Sequence, residues 1–478
     1  MAKQQPHIAL MPTAGMGHLT PFLGLASKLL SLNCNVSLIT GRPFLTAAEE
    51  QHFSSFISKH PQITHSEYHF LPDDDVPGVD PFFLRYGAIA KSTHLAFRTL
   101  TSLPLKCTAL VCDILMASAA PSLASQIQLP CYIFITTSFR FFSFLAYLPK
   151  LMSQPEKLHA SSSHVLIPGI GPLDMMTVPR PFIMPGHFIS QFTVSNALGF
   201  PQATGLIFNS FESFEEETIS AINSGMVLDT LPPCFPIGPL EGFHMESADR
   251  PHYMDWLDRQ EEGSVVYVSF GSRTAMSAEM IRELGEGLDM SGFKFLWVIK
   301  TTKIDLEEKE ALSNVLGEGF MERVNKKALI LKEWVMQDKI LSHQSIGGFL
   351  SHCGWNSAME AASSGVPVLA WPLHGDQMGN AEVMEKAGIG LMERSWGFGL
   401  EKFTKSNEIA AMVRKLMMDG DLRKRAIAVR DEALKAIGVG GGSYNNILEH
   451  LIVGHDVDNP DDGARGETKL EEADAKRE

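Results

Sequence analysis

Residues 352–357 read HCGWNS, which puts an imidazole, an indole, an amide and a hydroxyl around one glycine. Gly354 permits a tight turn, and Asn356 and Ser357 are residue types that favour a helix start. The stretch follows the apolar run IGGFL and precedes AMEAASSGVPVLAW, where Gly365 is placed to stop a helix and Pro367 follows the stop. The first turn of such a helix offers free backbone N–H groups and the positive end of the helix dipole. Together these attract an anion, and phosphate is the common occupant. His352 and the side chains of Asn356 and Ser357 would add donors. A simply capped helix start accounts for the same residue types, so the stretch alone leaves both readings open.

A second cluster lies near the N-terminus. TAGMGHLTPFLGLASKLL (13–30) reads as a turn leading into a helix, with apolar residues at 19, 22, 23, 26, 29 and 30. It puts His18 at the helix start and Pro21 in the first turn. A neutral imidazole in that place can act as a general base. The helix dipole disfavours the imidazolium, whereas a nearby carboxylate favours it. Asp113 is the obvious carboxylate. It ends the apolar run ALVCD, so both groups are expected at the same edge of a parallel sheet. A capping or buried structural histidine is the alternative. GMG is too short for a dinucleotide fingerprint, because no GxGxxG follows the first strand. That argues against a nicotinamide-dependent oxidoreductase. Asp73, Asp74 and Asp75 raise a metal reading, but LPDDDVPG is rich in turn residues and has no second ligand cluster in view, so a solvated loop is expected.

The elements that must position these groups alternate along the whole chain. Strand candidates are 7–12, 35–40, 109–113, 132–136 and 205–210 in the first half. In the second half they are 264–270, 294–300, 328–334, 346–352 and 367–372. Near-continuous apolar strands between helical segments imply parallel sheets covered on both faces. The pattern runs twice, so the expected fold class is α/β, with two doubly wound domains. FPIGPLEGFHMESADRPHYMDW (235–256) carries three prolines and no periodicity, as an interdomain linker would. Ligands of such sheets sit at the carboxyl ends of the strands, and two facing domains make a cleft there.

The 478 residues exceed what one core supports. No apolar run reaches 18 residues and the N-terminus does not read as a secretory signal, so a cytoplasmic protein without a membrane span is expected. Six scattered cysteines form no CxxC pair, which suits buried free thiols in a reducing compartment. A net charge of −15 argues against a nucleic-acid partner. Part of that charge sits in residues 456–478, which hold nine acidic and four basic side chains and read as a disordered tail.

Residues 334–377, WVMQDKILSHQSIGGFLSHCGWNSAMEAASSGVPVLAWPLHGDQ, closely resemble the signature box of plant family 1 UDP-glycosyltransferases acting on small molecules. GMGH, FPIGPL and WLD…GSVVYVSFGS (256–272) are similar to the same family, and the resemblance covers about residues 7–453. It implies a GT-B architecture: an acceptor-binding domain over 1–240, a donor-binding domain over 241–430, a C-terminal helix over 431–454 returning to the first domain, and the acidic tail over 455–478. It implies UDP-glucose as co-substrate, a monomer, and no metal. By resemblance, Trp334 stacks on uracil, Gln337 faces the uridine and Glu360 accepts from the ribose hydroxyls. His352, Asn356, Ser357 and Ser272 hold the diphosphate, while Trp355, Asp376 and Gln377 contact the sugar. His18 and Asp113 activate the acceptor. Trp355 and Gln377 resemble the UDP-glucose pattern, with UDP-xylose as the other donor in view.

VPGVDPFFLRYGAIAKSTH (76–94) and SFGSRTAMS (269–277) further resemble the plant C-glucosyltransferases of flavonoid-type polyphenols. The implied reaction is inverting transfer of glucose to an aromatic carbon of a 2-hydroxyflavanone, dihydrochalcone or related trihydroxyphenyl ketone. O-glucosylation of a phenol and non-catalytic polyphenol binding are the alternatives. Phe82, in the DPFF segment, is a candidate for the acceptor pocket or for helix packing. Phe139, Phe141 and Phe142 either line an apolar acceptor pocket or belong to a core helix. Arg273 reaches the diphosphate or is a surface charge. Thr137 is a candidate sugar contact, and His374, which departs from the family's box, has an unassigned contact near sugar or acceptor.

Overall fold

In a computed structural model, the described residues are 5–453, leaving out 14, 45, 72–80, 155–163, 176–177, 244–249, 272–275, 301–310 and 400–401; for 81–83 only the backbone is described. Asp73–Asp75, Ser272, Arg273 and the acidic tail thus lie outside the described residues, as does the side chain of Phe82.

The first sheet contains β1 (His7–Met11), β2 (Asn35–Arg42), β3 (Thr64–His69), β4 (Ala109–Asp113) and β5 (Cys131–Ile135). A short hairpin, β6 (His164–Ile167) and β7 (Gly171–Asp174), stands apart, and β8 (Gly205–Phe208) and β9 (Cys234–Pro236) complete the sheet. Its seven strands are parallel in the order β3-β2-β1-β4-β5-β8-β9. Side chains of β1 alternate between its faces. Ile8 and Leu10 join one core with the Met16–Ser31 helix, while Ala9 and Met11 join the other.

The second sheet comprises β10 (Val265–Ser269), β11 (Lys294–Val298), β12 (Ala328–Leu331), β13 (Ile346–Ser351), β14 (Val368–Ala370) and β15 (Gly390–Met392). Its order is β12-β11-β10-β13-β14-β15, again parallel. The same alternation sends Val265 and Tyr267 to one core and Val266 and Val268 to the other. All six cysteines are buried and free.

Each sheet has one place where strand order reverses, and each reversal opens a crevice at the strand ends. In the first sheet it lies between β1 and β4, where Met11 pairs with Cys112. In the second it lies between β10 and β13, where Ser269 pairs with Ser351. His18 and Asp113 follow the first pair of strand ends, and Gly271 and His352 the second. The chain end then returns to the first sheet. Asn446 donates to the Pro236 carbonyl at 2.8 Å, Tyr132 donates to that of His450 at 2.8 Å, and the His450 ring stacks on Phe235.

Candidate active site

The two switch points face one cavity of about 1930 Å³, lined from both domains. On the N-terminal side, the Met16–Ser31 helix starts after Gly15 at φ 103°, a left-handed conformation that favours glycine. His18 Nδ1 lies 2.8 Å from Asp113 Oδ2; the imidazole is 18% exposed and the carboxylate fully buried. The second Asp113 oxygen accepts the Leu115 N–H at 2.9 Å, which fixes the carboxylate. Burial pulls the His18 pKa down. The Asp113 carboxylate more than offsets this, with help from Asp376 and Glu49, and the net value lies above the ordinary one. With Nδ1 committed to Asp113, Nε2 is left as the basic nitrogen. Pro21 falls inside the helix, not in its first turn, because the helix begins at Met16.

On the C-terminal side, the Trp334 indole is half exposed at the cavity wall, as a stacking platform has to be. The same cavity is lined by a partly buried polar network. Tyr267 donates to Gln337 Oε1 at 3.0 Å, and Gln337 Nε2 donates to Glu360 at 2.7 Å and to Ser357 Oγ at 2.8 Å. Burial pushes the Glu360 carboxyl up to about 7, partly countered by the Gln337 bond. The network puts Ser357 beside Glu360, whereas the sequence reading grouped it with the diphosphate residues.

The HCGWNS turn is not a side-chain-capped helix start. Gly354, not Asn356 or Ser357, occupies the N-cap position of the Trp355–Ser364 helix, and no side chain caps it. The first-turn N–H groups are therefore not answered by a cap and stand at the cavity, which Gly354 and Asn356 line. A β-carbon on Gly271 or on Gly354 would come within 2.6 Å of His352 Nε2, so the imidazole fits only because both are glycines. Burial lowers the His352 pKa to about 3, with the neighbouring His374 adding to the effect, so this ring binds as a neutral group.

Asp376 and Gln377 stand at the start of the Gln377–Lys386 helix. Thr137, from the opposite domain, donates to Asp376 Oδ2 at 2.6 Å. Gln377 Oε1 accepts the backbone N–H groups of Leu373 and His374, and its amide nitrogen is 3.2 Å from His374 Nδ1. All five line the cavity. Trp355 behaves differently from the sequence expectation. Its side chain is only 3% exposed, and Nε1 donates to the Asn209 carbonyl of the other domain at 2.8 Å. The indole N–H is thus spent on an interdomain bond, which leaves the backbone and ring edge for any sugar contact.

The acceptor side also needs correction. Phe139 and Phe142 are fully buried and pack on Phe208, with centroids 3.6 and 5.1 Å away, so they are core residues. Positions 139 and 142 share one face of the Phe139–Met152 helix, and Phe141 points the other way, into the cavity. There it meets Phe182. Phe192, Phe200 and Met175 extend the apolar wall. Sequence reasoning passed over Tyr267, hidden in an apolar strand, and Asn209, which contributes only a carbonyl. Among the described residues, no group of three or more His, Cys, Asp or Glu is placed to hold a metal ion, and no helix is long and apolar enough to cross a membrane.

Two doubly wound domains facing one cavity are the GT-B architecture. The chain belongs to the UDP-glycosyltransferases: the family described as "UDP-glucoronosyl and UDP-glucosyl transferase" matches residues 96–396. It is 46% identical to UDP-glycosyltransferase 708C1 of Fagopyrum esculentum, over 93% of this chain and 94% of that protein. It is 39% identical to UDP-glycosyltransferase CGT of Oryza sativa subsp. japonica, over 94% and 96%. The crystal structure of LpCGTa in complex with UDP superposes with a TM-score of 0.83 at 37% identity, covering 95% of this chain and all of that one.

Proposed function

We propose that the protein transfers glucose from UDP-glucose, with inversion, to an aromatic carbon of a flavonoid-type polyphenol carrying a trihydroxyphenyl ketone. The observation that carries this is the His18–Asp113 pair, which opens on the same cavity as Trp334, Glu360 and the uncapped helix start. Trp334 stacks on the base and Glu360 accepts from the ribose hydroxyls. The neutral His352 and the N–H groups after Gly354 stabilise the diphosphate as it leaves, without reorganising. Asp376 and Gln377 orient the sugar.

His18 Nε2 takes a phenolic proton, and Asp113 stabilises the imidazolium that forms. The phenolate shares its charge with the ortho carbon. That carbon bonds to the anomeric carbon from the face opposite UDP as the bond to the diphosphate oxygen breaks; the ring proton then passes by way of solvent to the phenolic oxygen, which restores the aromatic phenol, and His18 releases its proton to water. Which atom reacts depends on which is held about 3–3.5 Å from the anomeric carbon. The wall of Phe141, Phe182 and Phe192 suits a flat aromatic acceptor. The similarity to a rice protein named CGT supports carbon attack.

Incubation with UDP-glucose and phloretin tests the reading. An acid-stable hexose adduct is expected. An acid-labile adduct would assign O-glucosylation instead, and no UDP release with any of several polyphenols would leave only a binding role.

A further inference from the structure

Asn380 is fully buried in the Gln377–Lys386 helix and does not line the cavity, yet it touches three parts of the site. Its Nδ2 donates to Asp376 Oδ2 at 2.9 Å and to the Cys353 carbonyl at 3.1 Å. Its Oδ1 lies 3.4 Å from Thr137 Oγ1, whose shorter bond is to the same Asp376 oxygen. Both partners of Nδ2 are acceptors, so the amide has one orientation that satisfies them. An aspartate here would set a second carboxylate against Asp376.

The Cys353 carbonyl belongs to a strained place. Cys353 has φ 68°, a left-handed conformation that non-glycine residues seldom hold. Its N–H is held by Ser351 Oγ at 3.1 Å and its carbonyl by Asn380. This is the residue between His352 and Gly354, so its conformation aims both the imidazole and the first helical turn. At the other end, Asp376 Oδ2 takes two donors, leaving Oδ1 for a ligand in the cavity that Asp376 lines.

We propose that Asn380 is a positioning residue that fixes the spacing between the sugar-facing carboxylate of Asp376 and the diphosphate-facing turn at Cys353. Thr137, from the facing domain, adds a bond to the same Asp376 oxygen and a longer one to Asn380. The inference rests on the reading that Asp376 meets the sugar of the donor. A donor that bridges both ends should feel the loss of Asn380, whereas UDP, which reaches only the turn, should feel it less.

The test is calorimetric binding of UDP-glucose and of UDP to the full chain, wild type and Asn380→Ala, with glucose transfer measured alongside. The ratio of the UDP-glucose to the UDP dissociation constant is expected to rise about tenfold or more, since a bond to a charged group is lost. Thr137→Val, which cuts the network from its other side, is expected to move the ratio in the same direction. Thr137→Ser, which keeps the hydroxyl, should stay near wild type. An unchanged ratio, or equal weakening of both ligands with a lowered melting temperature, overturns the positioning role. If the wild type transfers no glucose while the ratio still shifts, the proposed function fails and the positioning role stands. If it transfers glucose and the ratio does not move, the reverse holds.

Discussion

Replacing Asp113 by Asn keeps the shape of the His18 partner and removes its charge. The bond at issue is 2.8 Å long and its carboxylate is fully buried, so solvent does little to screen it. A hydrogen bond to a charged group contributes about 1.5–3 kcal/mol, and its loss in the transition state corresponds to about 10- to 150-fold in kcat. The pH dependence gives a second, independent reading. Burial lowers the His18 pKa and Asp113 more than restores it, so the net value is raised. Because the base must be neutral, the acid limb of kcat/KM in the wild type should lie above the ordinary histidine value of about 6.5. In Asp113→Asn burial acts with less opposition, and the limb should move to lower pH. Stability follows the same sign. A raised folded pKa contributes stability below the unfolded value and loses it as pH rises through the folded value, so the substitution should destabilise more at acid than at alkaline pH. The assay is steady-state transfer to one polyphenol from acid to alkaline pH, with thermal unfolding at the two extremes. A kcat within about threefold of wild type, or an acid limb that stays or moves up, refutes the base assignment.

Burial pushes the Glu360 carboxyl up to about 7, and the ionised form is the better acceptor for two ribose hydroxyls, so UDP binding should release a proton and weaken as pH falls below about 7. Calorimetry in buffers of different ionisation enthalpy counts that proton, and Glu360→Gln should abolish the dependence. Trp355→Phe removes the indole donor and leaves the buried Asn209 carbonyl unpaired, an expected loss of about 1–3 kcal/mol in denaturant unfolding. Phe139→Ala should cost about 3–5 kcal/mol of stability as a core truncation. Phe141→Ala should instead raise the acceptor KM with little change in melting temperature; the opposite pattern would exchange their roles.

Ten strands were readable in the sequence because they are central or strongly apolar. Those of the two parallel sheets that escaped share a physical feature, and the β6–β7 hairpin outside them escaped as well. β3 is polar, with THSEYH on one edge of its sheet, while β9 and β15 are three residues long and form the far edges of theirs. An edge strand is covered on fewer sides, so its burial leaves a weaker apolar signature. The site divides along a similar line. His18 and Asp113 were readable because Asp113 ends β4 and His18 opens the helix that follows β1, so topology alone brings them to one sheet edge. The orientation of Trp355 was not, because its partner is a backbone carbonyl 146 positions away in the chain. The phenylalanines of 139–142 failed for a different reason: three aromatics within four residues of one helix cannot share a face, and only the packing on Phe208 decides which ones turn inward.

The interdomain bonds connect this geometry to the chemistry. Thr137 to Asp376, Trp355 to Asn209 and Arg140 to Glu382 all cross the cleft. Asp376 is held by the first of them, and its charge is among those that raise the pKa of His18 in the facing domain. The proton affinity of the base is therefore partly a property of the closed cleft. The carboxylate proposed to orient the sugar thus also raises the proton affinity of the imidazole proposed to activate the acceptor.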